Sequence, residues 1–194
     1  MKVLASLVNI TILLICAHLF IYQVQIKAAR KFNIEHIFEE FVEQRKEKAE
    51  EDKRHEELMC LATNVYHEAR SEGEQGRRAV AWVTLNRTMS KHYPATICEV
   101  VHQAVKDEKG NPVKNKCQFS WYCDGKADNI EDQKAWLEAE TIAIDVLAKF
   151  GKETDPTGGS VMYHAEYVEP DWIDTYKREV EIDSHIFYAE AEND

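Results

Sequence analysis

The run Asn64-Val65-Tyr66-His67-Glu68-Ala69-Arg70-Ser71-Glu72 sets a carboxylate beside an apolar stripe. Leu61 and Val65 precede Glu68 by seven and three residues, so all three share one face of a helix. A carboxyl group held against aliphatic side chains is disfavoured in its charged form. Its pKa rises toward the range in which a general acid works near neutral pH. The simpler reading of the same residues is a surface ion pair between Glu68 and Arg70 or another cation. Other chemistries fit less well. His67-Glu68 lacks the second histidine of a zinc-protease helix, since Ser71 stands four residues on. No nucleophile-elbow pattern surrounds Ser120. Five residues separate Cys117 from Cys123, outside the usual spacing of a zinc finger. No metal or other cofactor is implied.

A second group, Gln118, Phe119, Ser120, Trp121 and Tyr122, gathers amide, hydroxyl and aromatic surface in five positions. Sugar rings stack on aromatic faces while their hydroxyls seek such polar groups. Phe119 is as well suited to the core as to a binding surface, and Trp172 serves equally as a glycan platform or as packing. His164 and His185 read as structural. Tyr163 and His164 are neighbours on a strand, so at most one of them faces a groove. Asn86 and Arg87, at the end of a buried helix, read as hydrogen-bonding scaffold. Arg70 is a candidate partner for Glu72, which lies one turn beyond Glu68 and reads as an ion-pair or loop-binding residue. The negative charge of Glu72 is also expected to help raise the pKa of Glu68.

These residues occur in order within longer motifs. Tyr66, Glu68, Ala69, Arg70 and Glu72 are followed by Gly76, Ala79, Val80, Ala81, Val83, Leu85, Asn86 and Arg87. Then come the runs Tyr93 to Val101, Cys117 to Trp121 and Cys123 to Gly125, and the pair Gly158-Gly159. The set resembles the signature of the SleB/CwlJ cell-wall hydrolases, the spore cortex-lytic enzymes and their bacterial and phage relatives. The resemblance covers about residues 58 to 189. Ser71 replaces a customary glycine and Arg77 a customary glutamine. It implies a lysozyme-like, lytic-transglycosylase-type core with a glycan groove, peptidoglycan as the partner, and Tyr163 in the cleft. It further implies Glu68 as a single acid/base that needs no second carboxylate. A hydrolysing muramidase with two carboxylates is the rival enzyme, and a non-catalytic wall-binding membrane protein the rival of another class. An amidase would want a metal cluster.

The chain of 194 residues accommodates one domain with an appendage. A formal charge of −11 argues against nucleic acid, which requires a basic footprint. No Asp, Glu, Lys or Arg interrupts residues 3–26. As a helix these would reach about 36 Å, enough to cross a bilayer. The poor cleavage site near Ala28-Ala29 favours an uncleaved signal-anchor over 1–26, with a cleaved signal as the alternative. The cations that follow, Lys27, Arg30 and Lys31, would hold the body in the cytoplasm, whereas a wall substrate demands the opposite side. Anchors of this polarity also resemble those of phage endolysins that leave the membrane to become active. Residues 27–57 read as a charged helical linker, with Ile34, Ile37, Phe38, Phe41 and Val42 on one face. Too few apolar heptads follow to prefer pairing, so the catalytic domain is expected to be monomeric.

Residues 58–194 then form the catalytic domain. Cys60, Cys98, Cys117 and Cys123 are an even number suited to two disulfides in an oxidising compartment, with three pairings open. Relatives carry the same four positions. The expected elements are helices over 57–72, 76–89 and 129–150, a capping box at Thr96 and Glu99, and a polar loop over 106–116. Two alternating runs, 160–168 and 178–189, read as strands of a small antiparallel sheet. Helices first and strands last give an α+β domain.

Overall fold

The computed structural model describes the backbone of residues 2–191 and the side chains of residues 15–191. The chain divides into two units, Met1–Asp52 and Lys53–Asp194. In the first, helix α1 (Lys2–Ala69) begins. It exposes Phe32, Ile34, Ile37, Phe38 and Phe41 and carries ion pairs such as Lys31–Glu35. Of the anchor expected over 1–26, residues 1–14 lie outside the described side chains. Among the described residues, no helix is long and apolar enough to cross a membrane.

In the second unit, α1 ends at Ala69, three residues before the expected stop. α2 (Glu74–Met89), α3 (Ile97–Val101) and α4 (Gln133–Lys149) complete the helices. α2 is buried on nearly every side, as its apolar run from Ala79 to Leu85 requires. Ala81, Trp82 and Leu85 pack with Leu61, Val65 and Tyr66 of α1, with Val100 and Val101 of α3, and with Ala139, Ala143 and Val146 of α4. Its other side, Ala79 and Val83, meets Phe187 of the C-terminal sheet. Such packing on two sides leaves no room at the helix start. The Gly76 amide donates to Asp183 Oδ2 at 2.8 Å, and a Cβ on Gly76 would stand 2.6 Å from that oxygen.

Caps set the boundaries of the shorter helices. Thr96 Oγ1 accepts from the Glu99 amide at 3.3 Å, one half of the expected capping box. Asp132 accepts from the amides of Lys134 and Ala135, so α4 starts at Gln133 rather than near Asn129.

The sheets carry two corrections. The expected polar loop over 106–116 lies largely within a hairpin, β1 (Ala104–Lys106) paired antiparallel with β2 (Pro112–Cys117). Its turn is built by Asp107 Oδ1, which accepts from the amides of Lys109 and Asn111. Almost no apolar alternation accompanies this local chemistry, which is why periodicity did not reveal it. The second run, 178–189, is two strands: β4 (Tyr176–Ile182) and β5 (His185–Glu190) reverse at Asp183, whose φ is 50°. With β3 (Met162–Ala165) they form an antiparallel sheet in the order β3-β5-β4. The result is an α+β domain with two small antiparallel sheets.

Cys60 is joined to Cys98, and Cys117 to Cys123. The first bridge ties α1 to α3. The second closes the short 3-10 turn Ser120–Cys123 onto β2.

Candidate active site

Glu68 sits on the last full turn of α1, half-buried. Tyr163, 95 residues later on β3, donates its hydroxyl to Glu68 Oε2 at 2.8 Å. Burial raises the pKa of Glu68, opposed first by the Tyr163 hydrogen bond and then by the positive charge of Arg87. Tyr163 itself is pushed well above its ordinary pKa, by burial and then by the neighbouring carboxylate. It therefore remains a hydrogen-bond donor throughout the physiological range. Its ring is held from the sheet by the edge of His185, at 5.3 Å and 85°, and by Phe187.

Arg87 is the buried cation of the site, with 2% of its surface exposed. Its Nε donates to the Val161 carbonyl at 2.7 Å, and its guanidinium lies over the rings of Phe119 (4.7 Å) and Tyr93 (5.2 Å). Burial depresses its pKa while Tyr163, Tyr93 and Glu68 act to raise it. Arg87 thus anchors the residues that lead into β3 and also acts on the carboxylate. The scaffold role expected of it is only half of what it does.

The polar interior continues at Asn64, fully buried on α1. Its Nδ2 donates to Thr84 Oγ1 and its Oδ1 accepts from Trp121 Nε1, both at 3.0 Å. An amide buried without partners would cost about 1–3 kcal/mol, so this pairing fixes where Trp121 can sit. Trp121 also stacks on His67, with ring centroids 4.5 Å apart. Asn64 and His67 carried no assigned role in the sequence. The signal available for Asn64 was its place one turn before Glu68, on nearly the same helical face.

Other expected residues are placed elsewhere. Phe119 is 2% exposed and belongs to the core beneath Arg87, so it offers no surface to a sugar. Trp172 packs among His164, Tyr176 and Tyr188, against the sheet rather than beside Glu68. Gln118 is half-buried, with Nε2 3.9 Å from Met162 Sδ. Ser120 is exposed and makes no hydrogen bond to Glu68. Asn86 donates to Asp155 Oδ2 at 2.8 Å and to the Ser160 carbonyl at 3.0 Å, holding the turn that precedes β3.

Glu72 accepts from Ser184 Oγ at 2.7 Å and from the Ser184 amide at 3.2 Å, which pins the β4–β5 turn to the end of α1. Its charge is not among the causes of the Glu68 shift, contrary to expectation. Arg70 lies over the Tyr66 ring at 5.4 Å, while Ser184 takes up the carboxylate of Glu72. Two surface cavities of about 440 Å³ each lie beside His102 and Tyr122 and beside Arg77 and Glu138, and Glu68 lines neither.

The geometry is that of one raised-pKa carboxyl group with a fixed donor on one oxygen. The spore cortex-lytic enzyme of Oceanobacillus iheyensis is 28% identical over 132 residues, 68% of this chain and 41% of that protein. The chain therefore spans about two fifths of the length of that curated relative. The catalytic domain of the SleB protein from Bacillus cereus matches with 26% identity and a TM-score of 0.50, covering 68% of this chain and 88% of that one. The catalytic domain of the germination-specific lytic transglycosylase SleB from Bacillus anthracis is 27% identical, with a TM-score of 0.49, over 68% and 93% of the two chains. The family model for cell wall hydrolases matches residues 71–188, beginning three residues after Glu68 and taking in α2, α3, α4, β1 to β4 and most of β5. With that match over more than half its length, the chain belongs to the cell wall hydrolase family.

Proposed function

We propose that the chain cleaves peptidoglycan glycan strands between N-acetylmuramic acid and N-acetylglucosamine, with Glu68 as the sole acid and base. The observation that carries this reading is the 2.8 Å hydrogen bond from Tyr163 to Oε2 of a carboxyl group whose pKa is raised by burial. Because Oε2 already accepts from tyrosine, the proton of the neutral acid resides on Oε1, free to meet the glycosidic oxygen. As that oxygen takes the proton, the bond to the muramoyl C1 breaks and positive charge develops on the sugar ring. The Glu68 carboxylate then accepts the proton of the muramoyl 6-hydroxyl as it attacks C1, closing a 1,6-anhydro ring without water. Arg87 and Tyr163 stabilise the carboxylate between the two transfers. Glu72, the next carboxylate along the helix, is engaged by Ser184, which supports a one-carboxylate mechanism over the two-carboxylate hydrolytic one.

Mass spectrometry of the products separates the two. Anhydro-muramic ends, one water lighter than reducing ends, are expected from the full-length chain acting on purified peptidoglycan. Reducing muramic ends would establish a hydrolysing muramidase instead.

The pH dependence tests the role of Tyr163. Glu68 must start protonated, so kcat/KM falls as pH rises through its pKa, at a higher pH than an ordinary carboxyl group would allow. The tyrosine hydroxyl favours the ionised carboxylate. Tyr163→Phe is therefore expected to move the alkaline limb further up while lowering kcat by roughly 10–100-fold through lost orientation. An alkaline limb that stays in place would show that the two groups are not coupled in the working enzyme.

The division into an anchor over 1–26, a linker over 27–57 and a catalytic domain over 58–194 belongs to the same reading. The uncharged run 3–26 supports retention at a membrane, the two disulfides support a domain on the wall side, and the scarcity of apolar heptads in the linker supports a monomer.

A further inference from the structure

On the flank of α1 that carries His67 and Arg70, a cavity of about 350 Å³ opens between the helix and residues 120–131, with Glu68 outside its lining. Its walls carry both signs of charge. Arg70 and Lys126 supply the cations, and Asp128 and Glu131 the anions, with Asp124 holding the Lys126 ammonium at 3.3 Å. The stacked pair His67 and Trp121 forms its inner side, and Trp121 is locked by its bond to Asn64. The far wall is tied back to the helix, because the amides of Glu131 and Asp132 both donate to Tyr66 Oη, at 3.2 and 3.1 Å. The cavity is thus built before any ligand arrives.

Charges of both signs around so small a space suit neither a neutral sugar nor a polyanion. They suit a short zwitterion, whose carboxylates and ammonium each meet an opposite charge. In a glycan strand, the group of that kind is the peptide borne by the lactyl arm of the muramoyl residue. An extended peptide advances about 3.3–3.6 Å per residue, so two or three residues cross a cavity of this size. We propose that this cavity receives the peptide stem of the muramoyl residue, its carboxylates toward Arg70 and Lys126 and its free amine toward Asp128 and Glu131. The inference rests on glycan cleavage at Glu68, and it makes the enzyme selective for peptide-bearing strands.

Two measurements on the full-length protein test it. The free tripeptide L-alanyl-γ-D-glutamyl-diaminopimelate should shift the Trp121 indole N–H resonance saturably, and the double variant Arg70→Ala/Lys126→Ala should weaken that binding about tenfold or more. The second measurement compares cleavage of peptide-bearing strands with that of strands stripped by an amidase. The peptide-bearing strands should be favoured about tenfold, and the ratio should fall toward one in the double variant. Equal cleavage of both strands by the parent, or no shift with the tripeptide, overturns the stem site while leaving glycan cleavage intact. Saturable tripeptide binding without cleavage of either strand upholds the stem site and defeats the reading of Glu68.

Discussion

Glu68→Gln is expected to slow glycan cleavage by roughly 10²–10⁴-fold, the contribution of a positioned acid/base. The amide keeps the shape of the side chain and can still accept from Tyr163, so the loss isolates proton transfer. The same variant should alter stability in the opposite sense. Burial raises the pKa of Glu68 in the folded chain above its unfolded value. The stabilisation linked to this group is therefore fully present below the unfolded pKa and lost as pH rises through the folded one. Near neutral pH the neutral glutamine should melt higher than the parent, and the difference should vanish below about pH 4, where glutamate is protonated in both states. Release of soluble fragments from purified walls reads the first effect, and thermal melts at the two pH values read the second. A variant that lysed walls as fast as the parent would show that Glu68 is not the acid/base.

The second large effect is on stability alone. The Cys60–Cys98 bridge spans a sequence separation of 38, against 6 for Cys117–Cys123. Loop-closure entropy makes the first worth about 4 kcal/mol and the second about 2 kcal/mol. Typical domains have 5–15 kcal/mol in total, so Cys98→Ser should cost a large share of the margin. α3 has only five residues. Beyond the bridge it is held to α1 by core packing and by Glu57 Oε2, which accepts from the Ile97 amide at 2.6 Å. The expected order in chemical denaturation is parent, then Cys123→Ser, then Cys98→Ser as the least stable. A reversed order would mean that the hairpin turn, not the α1–α3 junction, limits stability.

The two bridges also illustrate where sequence reasoning stopped. An even number of exported-type cysteines was legible, but the pairing was not, because it depends on which elements the core brings together. Phe119 and Trp172 make the same point. Each is an aromatic equally fit for core or surface; the core beneath Arg87 took Phe119, while Trp172 lies half-exposed against Tyr188. The β1–β2 hairpin escaped notice because its turn is set by Asp107 and its strands bear almost no apolar face.

By itself the sequence determined what short-range physics controls. The helical face that carries Glu68, the burial of α2, the cap at Thr96, the order of helices before strands and the ordered family motifs were all readable along the chain. The tertiary structure alone decided the partners of Glu68. Tyr163 comes from 95 residues away, and Arg87 reaches the same carboxyl group from α2. No local periodicity encodes either meeting. Both arise because α2 packs against α1 on one side and against the C-terminal sheet on the other, and that double burial brings a tyrosine, a buried cation and a carboxyl group together.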